Sequence, residues 1–129
     1  MARLLDEAAA SPGVEVCGLL FGTGGRIAGL QSCRNVAADP ATAFEIDPAQ
    51  LIAAHRAARA GGPQVVGCYH SHPSGTTLPS ERDARAAVAD GSIWIIVAGH
   101  DVGCWRAVVD GAVHGRFEAV AIPSSPSSS

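Results

Sequence analysis

Three residues of metal-binding type lie close together near the middle of the chain. His70 and His72 are two positions apart, and Asp83 follows them after a loop. Two imidazoles and one carboxylate are a ligand set of catalytic zinc sites, in which three protein groups leave a fourth position for water. If these side chains converge, the pattern predicts a metal-dependent hydrolase.

The predicted elements around these residues favour such convergence. Residues 64–69 form a short apolar run with β-branched residues, which is typical of a buried strand. Side chains alternate between the faces of a strand, so the two histidines that follow point the same way. After a proline- and glycine-containing loop, Ser80 predicts the N-cap of a helix that runs to Asp90. Asp83 then lies in the first helical turn, where a folded-back loop brings it towards the imidazoles.

Each half of this pattern also has a structural interpretation that needs no metal. A His-x-His pair alone is more often a surface or structural pair than a metal site. Ser80 and Asp83 match a helix-capping pattern, which explains both residues by itself. The two halves together, with proline and glycine between them, favour the metal site.

The two halves of this pattern together resemble the signature of the JAMM (MPN+) zinc metalloproteases. Within that family, the chain resembles the small prokaryotic JAB-domain type. The signature is His-x-His, seven residues, Ser, two residues and Asp, and the chain has it from His70 to Asp83. The family's early motif, Glu-x-Cys-Gly-Leu-Leu-x-Gly, is matched at residues 15–22. Further similarity lies at residues 44–48 and 67–69, so the resemblance covers nearly the whole chain.

This resemblance implies a role for each residue of the site. His70, His72 and Asp83 would bind one Zn²⁺ per chain, which lowers the pKa of bound water from about 15.7 to about 7. Glu15 would take the proton of this water and return it to the leaving amine. Spacing alone favours the interpretation of Glu15 as an exposed acid at a strand end, and only the resemblance favours the catalytic role. Ser80 would donate to the oxyanion, and its N-cap role remains open beside that.

The resemblance also implies a zinc-dependent metallopeptidase or isopeptidase that acts on the C-terminal Gly-Gly tail of a ubiquitin-like or sulfur-carrier protein. Such a tail could lie along a strand edge by strand addition. Three alternatives remain. A catalytically silent MPN-type scaffold would bind partner proteins, and a facial-triad non-haem iron enzyme would use the same ligand types. A zinc deaminase is disfavoured, because its His-x-Glu and Pro-Cys-x-x-Cys elements are absent from the sequence.

Composition restricts the partners and the location of the protein. The chain has 129 residues, 47% of them hydrophobic, and a formal net charge of −3, which favours one globular domain and gives no electrostatic case for nucleic acid. No run is long enough to span a membrane and the N-terminus lacks a signal-peptide pattern, so we expect a cytoplasmic protein. The four cysteines are scattered and are expected to be reduced.

The predicted fold is a single α/β domain with a mixed sheet flanked by helices, and the resemblance implies a curved, cytidine-deaminase-like version of it. The domain spans residues 1–122, and residues 123–129 form a disordered Ser/Pro tail. Many members of the family that the chain resembles start with a strand before the first helix, whereas this sequence begins almost at the helix. We therefore expect the sheet to lack that edge strand, which leaves a place for a partner or for a homodimer. The predicted helices are residues 3–10, 47–60 and 80–90; the predicted strands are 16–22, 26–36, 43–46, 64–70, 92–98, 103–109 and 112–121, with tight turns at 23–25 and 110–111.

Overall fold

The structure, a computed structural model, describes residues 2–23 and 26–121. Within them, six strands form one sheet in the order β2-β1-β3-β4-β5-β6, and β3 and β4 are its parallel pair. The predicted turn at residues 23–25 and the predicted tail at residues 123–129 lie outside the described residues, wholly or in part. The elements are α1 (Ala2–Ala10), β1 (Cys17–Thr23), β2 (Arg26–Cys33), α2 (Pro48–Arg59), β3 (Val65–Ser71), α3 (Glu81–Ala86), β4 (Ile93–Ala98), β5 (Asp101–Gly111) and β6 (Gly115–Ala119).

The centre of the sheet is set by its most apolar segment. All six residues of β4, Ile-Trp-Ile-Ile-Val-Ala, are buried, as a strand covered on both faces requires. It pairs with β3 on one side and with β5 on the other. This confirms that the apolar run predicted at residues 92–98 lies in the middle of the sheet.

Two apolar clusters cover the two faces of the sheet. On one face, Leu4 of α1 packs with Leu20, Tyr69 and Ile95. On the other face, Trp94 packs with Ile96, Trp105 and Phe117, and Ala84 of α3 lies against this cluster. The second face is also the face of His70, whose ring contacts that of Trp94 edge-on at 5.7 Å between centroids.

The predicted fold class is confirmed, and helix α2 begins where its sequence signals place it. The Asp47 side chain accepts a hydrogen bond from the Ala49 amide, and Pro48 opens the first turn. In the part of the chain that the structure describes, no helix combines the length and the apolarity that a membrane crossing needs.

The predicted helix from Ser80 to Asp90 is too long. Ser80 is indeed the N-cap, but α3 ends at Ala86, and Ala87 has an extended backbone with ψ of 138°. The reason is packing: the Ala87 side chain is buried against the cluster around Trp94. The chain then bends at residues 89–90, and the Gly91 amide donates to the carbonyl of Ala107.

The prediction of a tight turn at Asp110-Gly111 is also wrong. Asp110 does adopt a left-handed conformation, with φ of 56°, but there it accompanies a shift in the β5–β6 register. The chain reverses after Gly111, where His114 and Gly115 have φ of 52° and 68°. Asp110 thus has the left-handed backbone expected of a turn residue, but the chain reverses between Gly111 and Gly115.

Two smaller predictions are also wrong. The strand predicted at residues 43–46 is reduced to one isolated bridge between Asn35 and Ile46. The sequence places Leu51, Ile52, His55 and Ala58 on one face of α2, which was expected to be the apolar, core-facing side. These side chains are half-buried or exposed, with Ile52 at 51% exposure, and the helix instead faces the protein interior through the buried Ala54.

Gly67 permits the close approach of β3 to β4 and supplies a stability test. A Cβ added there would lie 1.9 Å from the Ile93 carbonyl oxygen, so the two strands would have to separate. We expect Gly67→Ala to lower the free energy of unfolding by about 1–3 kcal/mol, as overpacking does. Gly29→Ala is the matched control, since nothing lies within 4 Å of its added Cβ. Equal urea midpoints for the two variants would contradict this packing argument.

Candidate metal centre

The sequence-predicted histidines and aspartate converge at the end of β3. The Nε2 atoms of His70 and His72 are 3.0 Å apart. The Oδ2 atom of Asp83 lies 3.2 Å from the first and 3.1 Å from the second. All three side chains are buried. The loop after β3 therefore folds back as expected and brings the first turn of α3 against the two imidazoles.

Asp83 is held in place by the helix start that it helps to form. Its backbone amide donates to Ser80 Oγ at 3.0 Å, and its Oδ2 accepts from the Ser80 amide at 2.9 Å. These two bonds form a capping box, so the capping interpretation of Ser80 and Asp83 is confirmed. The same Oδ2 faces both imidazoles, so the capping role and the convergence with the histidines occur together.

Glu15 reaches this cluster although it is far away in sequence. Its carboxylate offers one oxygen within 4.8 Å of a ring nitrogen of each histidine. The side chain is buried, and its Oε1 has no hydrogen-bond partner among the described residues. The alternative of an exposed strand-end acid is therefore wrong. The cluster contains two carboxylates, Asp83 in direct contact with the imidazoles and Glu15 slightly farther away.

Backbone pairing explains why Glu15 arrives there. Cys17 pairs with His70 in the antiparallel β1–β3 ladder. One step further, the Ser71 amide donates to the Val16 carbonyl at 3.0 Å, and the Val16 amide donates to Ser71 Oγ at 2.9 Å. These bonds fix the residue after Glu15 to the residue between the two histidines.

The two imidazoles are oriented by different means. His72 Nδ1 lies 2.9 Å from the Thr76 carbonyl oxygen and donates to it, which turns Nε2 towards the cluster. His70 Nδ1 is buried with no partner among the described residues. Its ring instead stacks on Phe44, with 4.2 Å between centroids and 21° between planes. Aromatic packing therefore replaces the usual second hydrogen bond.

Burial and hydrogen bonding shift the pKa values of these groups in different directions. Burial lowers the pKa of His70, which keeps this imidazole neutral. Burial also acts against protonation of His72, but hydrogen bonds with Asp83 and Thr76 outweigh it and raise the pKa of this histidine. Burial alone would raise the pKa of Asp83, yet the hydrogen bonds from both imidazoles hold it far below its usual range. For Glu15, burial raises the pKa to about 7.

The spacing of the donor atoms fits a tetrahedral divalent ion. Zinc–nitrogen and zinc–oxygen bonds of about 2.0–2.2 Å place tetrahedral ligand atoms ~3.3 Å apart. The three donor atoms of His70, His72 and Asp83 are separated by 3.0, 3.1 and 3.2 Å. A small contraction or expansion of this triangle is all that such an ion requires.

Several other titratable side chains lie outside the candidate site. His55, His100 and Glu45 are exposed, as expected. His114 is exposed as well, with its Nε2 3.0 Å from the Pro79 carbonyl oxygen, so it supports the start of α3. The cysteines are all free thiols, in agreement with their predicted reduced state.

Three residues that orient the site were not predicted from the sequence: Asn35, Phe44 and Ser71. Phe44 lies in a predicted strand that did not form, Asn35 lies beyond the end of β2 at Cys33, and Ser71 points to the opposite side of its strand from the two histidines. Of these three, Asn35 could have been singled out from the sequence, because it is the only asparagine of the chain.

Comparison with known proteins identifies the family. The model described as prokaryotic homologs of the JAB domain matches residues 1–108. The chain is 36% identical over 93 residues to a desampylase of Haloferax volcanii, a match covering 70% of this chain and 67% of that protein. The chain therefore belongs to the family of prokaryotic homologs of the JAB domain.

Two further relatives agree with this assignment. A probable TtuB-protein conjugate cleaving protease of Thermus thermophilus is 43% identical over 53 residues, which are 41% of this chain and 36% of that protein. The crystal structure of a JAB1/MPN domain protein from Archaeoglobus fulgidus has a TM-score of 0.59 at 22% identity, covering 95% of this chain and 90% of that one. The predicted family, fold class and enzyme type, a JAMM-type hydrolase, are thereby confirmed.

Removing the Ser80 hydroxyl tests its capping role. We expect Ser80→Ala to lower the free energy of unfolding by about 1 kcal/mol, because the amide of Asp83 loses its acceptor. Ser80→Thr should retain most of the stability, and Ser74→Ala in the exposed loop should change it little. Chemical denaturation of the three variants measures these differences. An unchanged stability of Ser80→Ala would show that the hydroxyl is not needed as a cap.

Proposed function

We propose that the chain is a zinc-dependent isopeptidase that hydrolyses an amide bond at the C-terminal tail of a ubiquitin-like or sulfur-carrier protein. One observation carries the proposal: the Nε2 atoms of two buried imidazoles and a carboxylate oxygen meet within 3.0–3.2 Å of one another, beside a second, buried carboxylate. Relatives named as a desampylase and as a probable protease of protein conjugates support the substrate class.

The two carboxylates are assigned from their contacts. Asp83 Oδ2 is nearly equidistant from the two Nε2 atoms, at 3.2 and 3.1 Å, and is therefore proposed as the third ligand. Glu15 Oε1 is buried and makes no hydrogen bond within the described part of the chain. It is consequently free to accept a proton from a water molecule held between it and the ligands. This leaves Glu15 as the proposed general base.

Each proposed step uses a group already in position. A bound zinc ion would supply a water of pKa about 7 and polarise the scissile carbonyl. Glu15 takes the proton of the attacking water and delivers it to the leaving amine nitrogen, for which its pKa of about 7 is suited. The Ser80 hydroxyl accepts from the Asp83 amide through its oxygen, so its proton is available to the carbonyl oxygen of the substrate.

A cavity beside the site offers space for part of an extended tail. It has a volume of about 470 Å³ and passes along His72, between the end of α1 and the loop after β3. Small and apolar residues line it, among them Ala8, Pro12, Gly75 and Gly99. Little side-chain bulk opposes a glycine-containing tail there, and Ser71 and His72 connect the cavity to the candidate metal centre.

The alternatives differ in what they require of the site. A silent scaffold has no use for a buried carboxylate that lacks a hydrogen-bond partner, which is the state of Glu15 Oε1 among the described residues. An iron enzyme would share the ligands, so the identity of the metal separates it from a zinc hydrolase. Cytoplasmic location and homodimerisation remain predictions.

Metal content tests the ligand set directly. We expect purified wild-type protein to carry about one zinc per chain by mass spectrometry of its metals, as a site with three protein ligands predicts. His72→Ala should retain little of it, because one ligand and its Thr76-oriented ring are lost. The matched control is His55→Ala, which removes an exposed imidazole from α2. Undiminished zinc in His72→Ala would refute the assignment.

Glu15→Gln separates catalysis from metal binding. The amide cannot take a proton from water, so we expect cleavage of a carrier conjugate to fall on the order of 10²–10⁴-fold, the range for general acid–base catalysis. Zinc content should stay at the wild-type level. Glu45→Gln makes the same change at an exposed position and should keep full activity. Cleavage is measured by intact mass, and wild-type rates for Glu15→Gln would exclude it as the general base.

A further inference from the structure

The segment between β2 and α2, residues 34–47, connects to both sides of the candidate metal centre. Its central contact is the side-chain amide of Asn35. The Nδ2 atom donates to the carbonyls of Glu15 and Ala43 at 2.8 and 3.0 Å. The Oδ1 atom accepts from the amides of Ala37 and Glu45, both at 3.0 Å. One side chain thus uses two donors and two acceptor sites, the full capacity of an asparagine.

Glu15 depends on this segment for its own backbone contacts. Its amide donates to the Pro40 carbonyl at 2.7 Å, and its carbonyl accepts from Asn35. Ser71 holds the neighbouring Val16, but it makes no hydrogen bond with the peptide groups of Glu15. The position of the Glu15 carboxylate therefore follows the position of the segment.

We propose that Asn35 is a positioning residue for the proposed general base. It ties the backbone of Glu15 to the 34–47 segment and keeps the carboxylate where it reaches the histidines. This inference rests on the proposed function for its catalytic consequence. Asn35 itself contacts no reacting group.

The same segment reaches the other side of the site through Phe44. Its ring stacks on His70, whose Nδ1 has no hydrogen-bond partner among the described residues. Asn35 bonds the residues on both sides of Phe44, the carbonyl of Ala43 and the amide of Glu45. A single amide thus fixes the spacing between the proposed base and one of the proposed ligands.

An asparagine is required here because donors and acceptors are needed together. In Asn35→Asp, a carboxylate without donors would face the carbonyl oxygens of Glu15 and Ala43. Asn35→Ala removes all four bonds without adding charge, and it serves as the second variant if the aspartate destabilises the fold. Gln50→Glu is the matched control: it makes the same amide-to-carboxylate change in a neighbouring side chain, whose oxygen accepts from the Arg34 amide and can still do so.

The experiment compares steady-state cleavage, metal content and amide hydrogen exchange in full-length protein. In both Asn35 variants we expect kcat to fall about 10- to 100-fold, as displacements near 1 Å can cause, with KM and zinc content unchanged. The Glu15 and Glu45 amides should exchange faster, since their acceptors move or disappear. Gln50→Glu should match the wild type in every measurement.

The outcomes are distinct. An unchanged kcat, or a kcat that falls only in proportion to lost zinc, overturns the positioning role. If the wild-type protein cleaves no carrier, the proposed function fails instead. Hydrogen exchange then tests the positioning role of Asn35 by itself. Faster exchange at Glu15 would still support the positioning of this residue by Asn35, whereas unchanged exchange would overturn it.

Discussion

The pairing of Val16 with Ser71 is the contact on which the site depends. Each residue donates a backbone amide to the other, at 2.9 and 3.0 Å, one to a hydroxyl and one to a carbonyl. A β-register cannot slip by one residue without turning every side chain to the opposite face. Because Ser71 lies between the two histidines and Val16 follows Glu15, this register brings the glutamate to the same side of the sheet end as the imidazoles.

That space holds two buried carboxylates beside two buried imidazoles. Glu15 and Asp83 are both buried, and burial lowers the pKa of His70, so one of the two imidazoles carries no charge of its own. Burying a carboxylate is costly unless it is paired or binds a metal. Asp83 obtains hydrogen bonds from both imidazoles and from the Ser80 amide, whereas burial leaves Glu15 with a raised pKa. A divalent cation would relieve both carboxylates at once, which gives these residues a reason to be placed together.

The proposed metal ligands could be predicted from the sequence more fully than the residues that hold them in place. His70, His72 and Asp83 were found because strand alternation and a capping signal are local patterns, and the structure brings them together. Glu15 could not be placed from spacing, since its position results from strand pairing between distant segments. The length of α3 was overestimated because helix propensity at Ala87 yields to burial against Trp94. Asn35 and Phe44 act through contacts in an irregular segment, and such contacts produce no periodic pattern in the sequence.

Asp83 shows how the candidate site and the local fold are connected. Its Oδ2 accepts from the Ser80 amide and also contacts both imidazoles, so the start of α3 and the cluster share one atom. Any ion that binds this oxygen competes with hydrogen bonds that already hold it in place. Because those bonds keep the three donor atoms 3.0 to 3.2 Å apart, their arrangement is already close to a coordinating one. Binding would therefore require little reorganisation of α3, and the energy of coordination would go mainly into affinity rather than into folding the site.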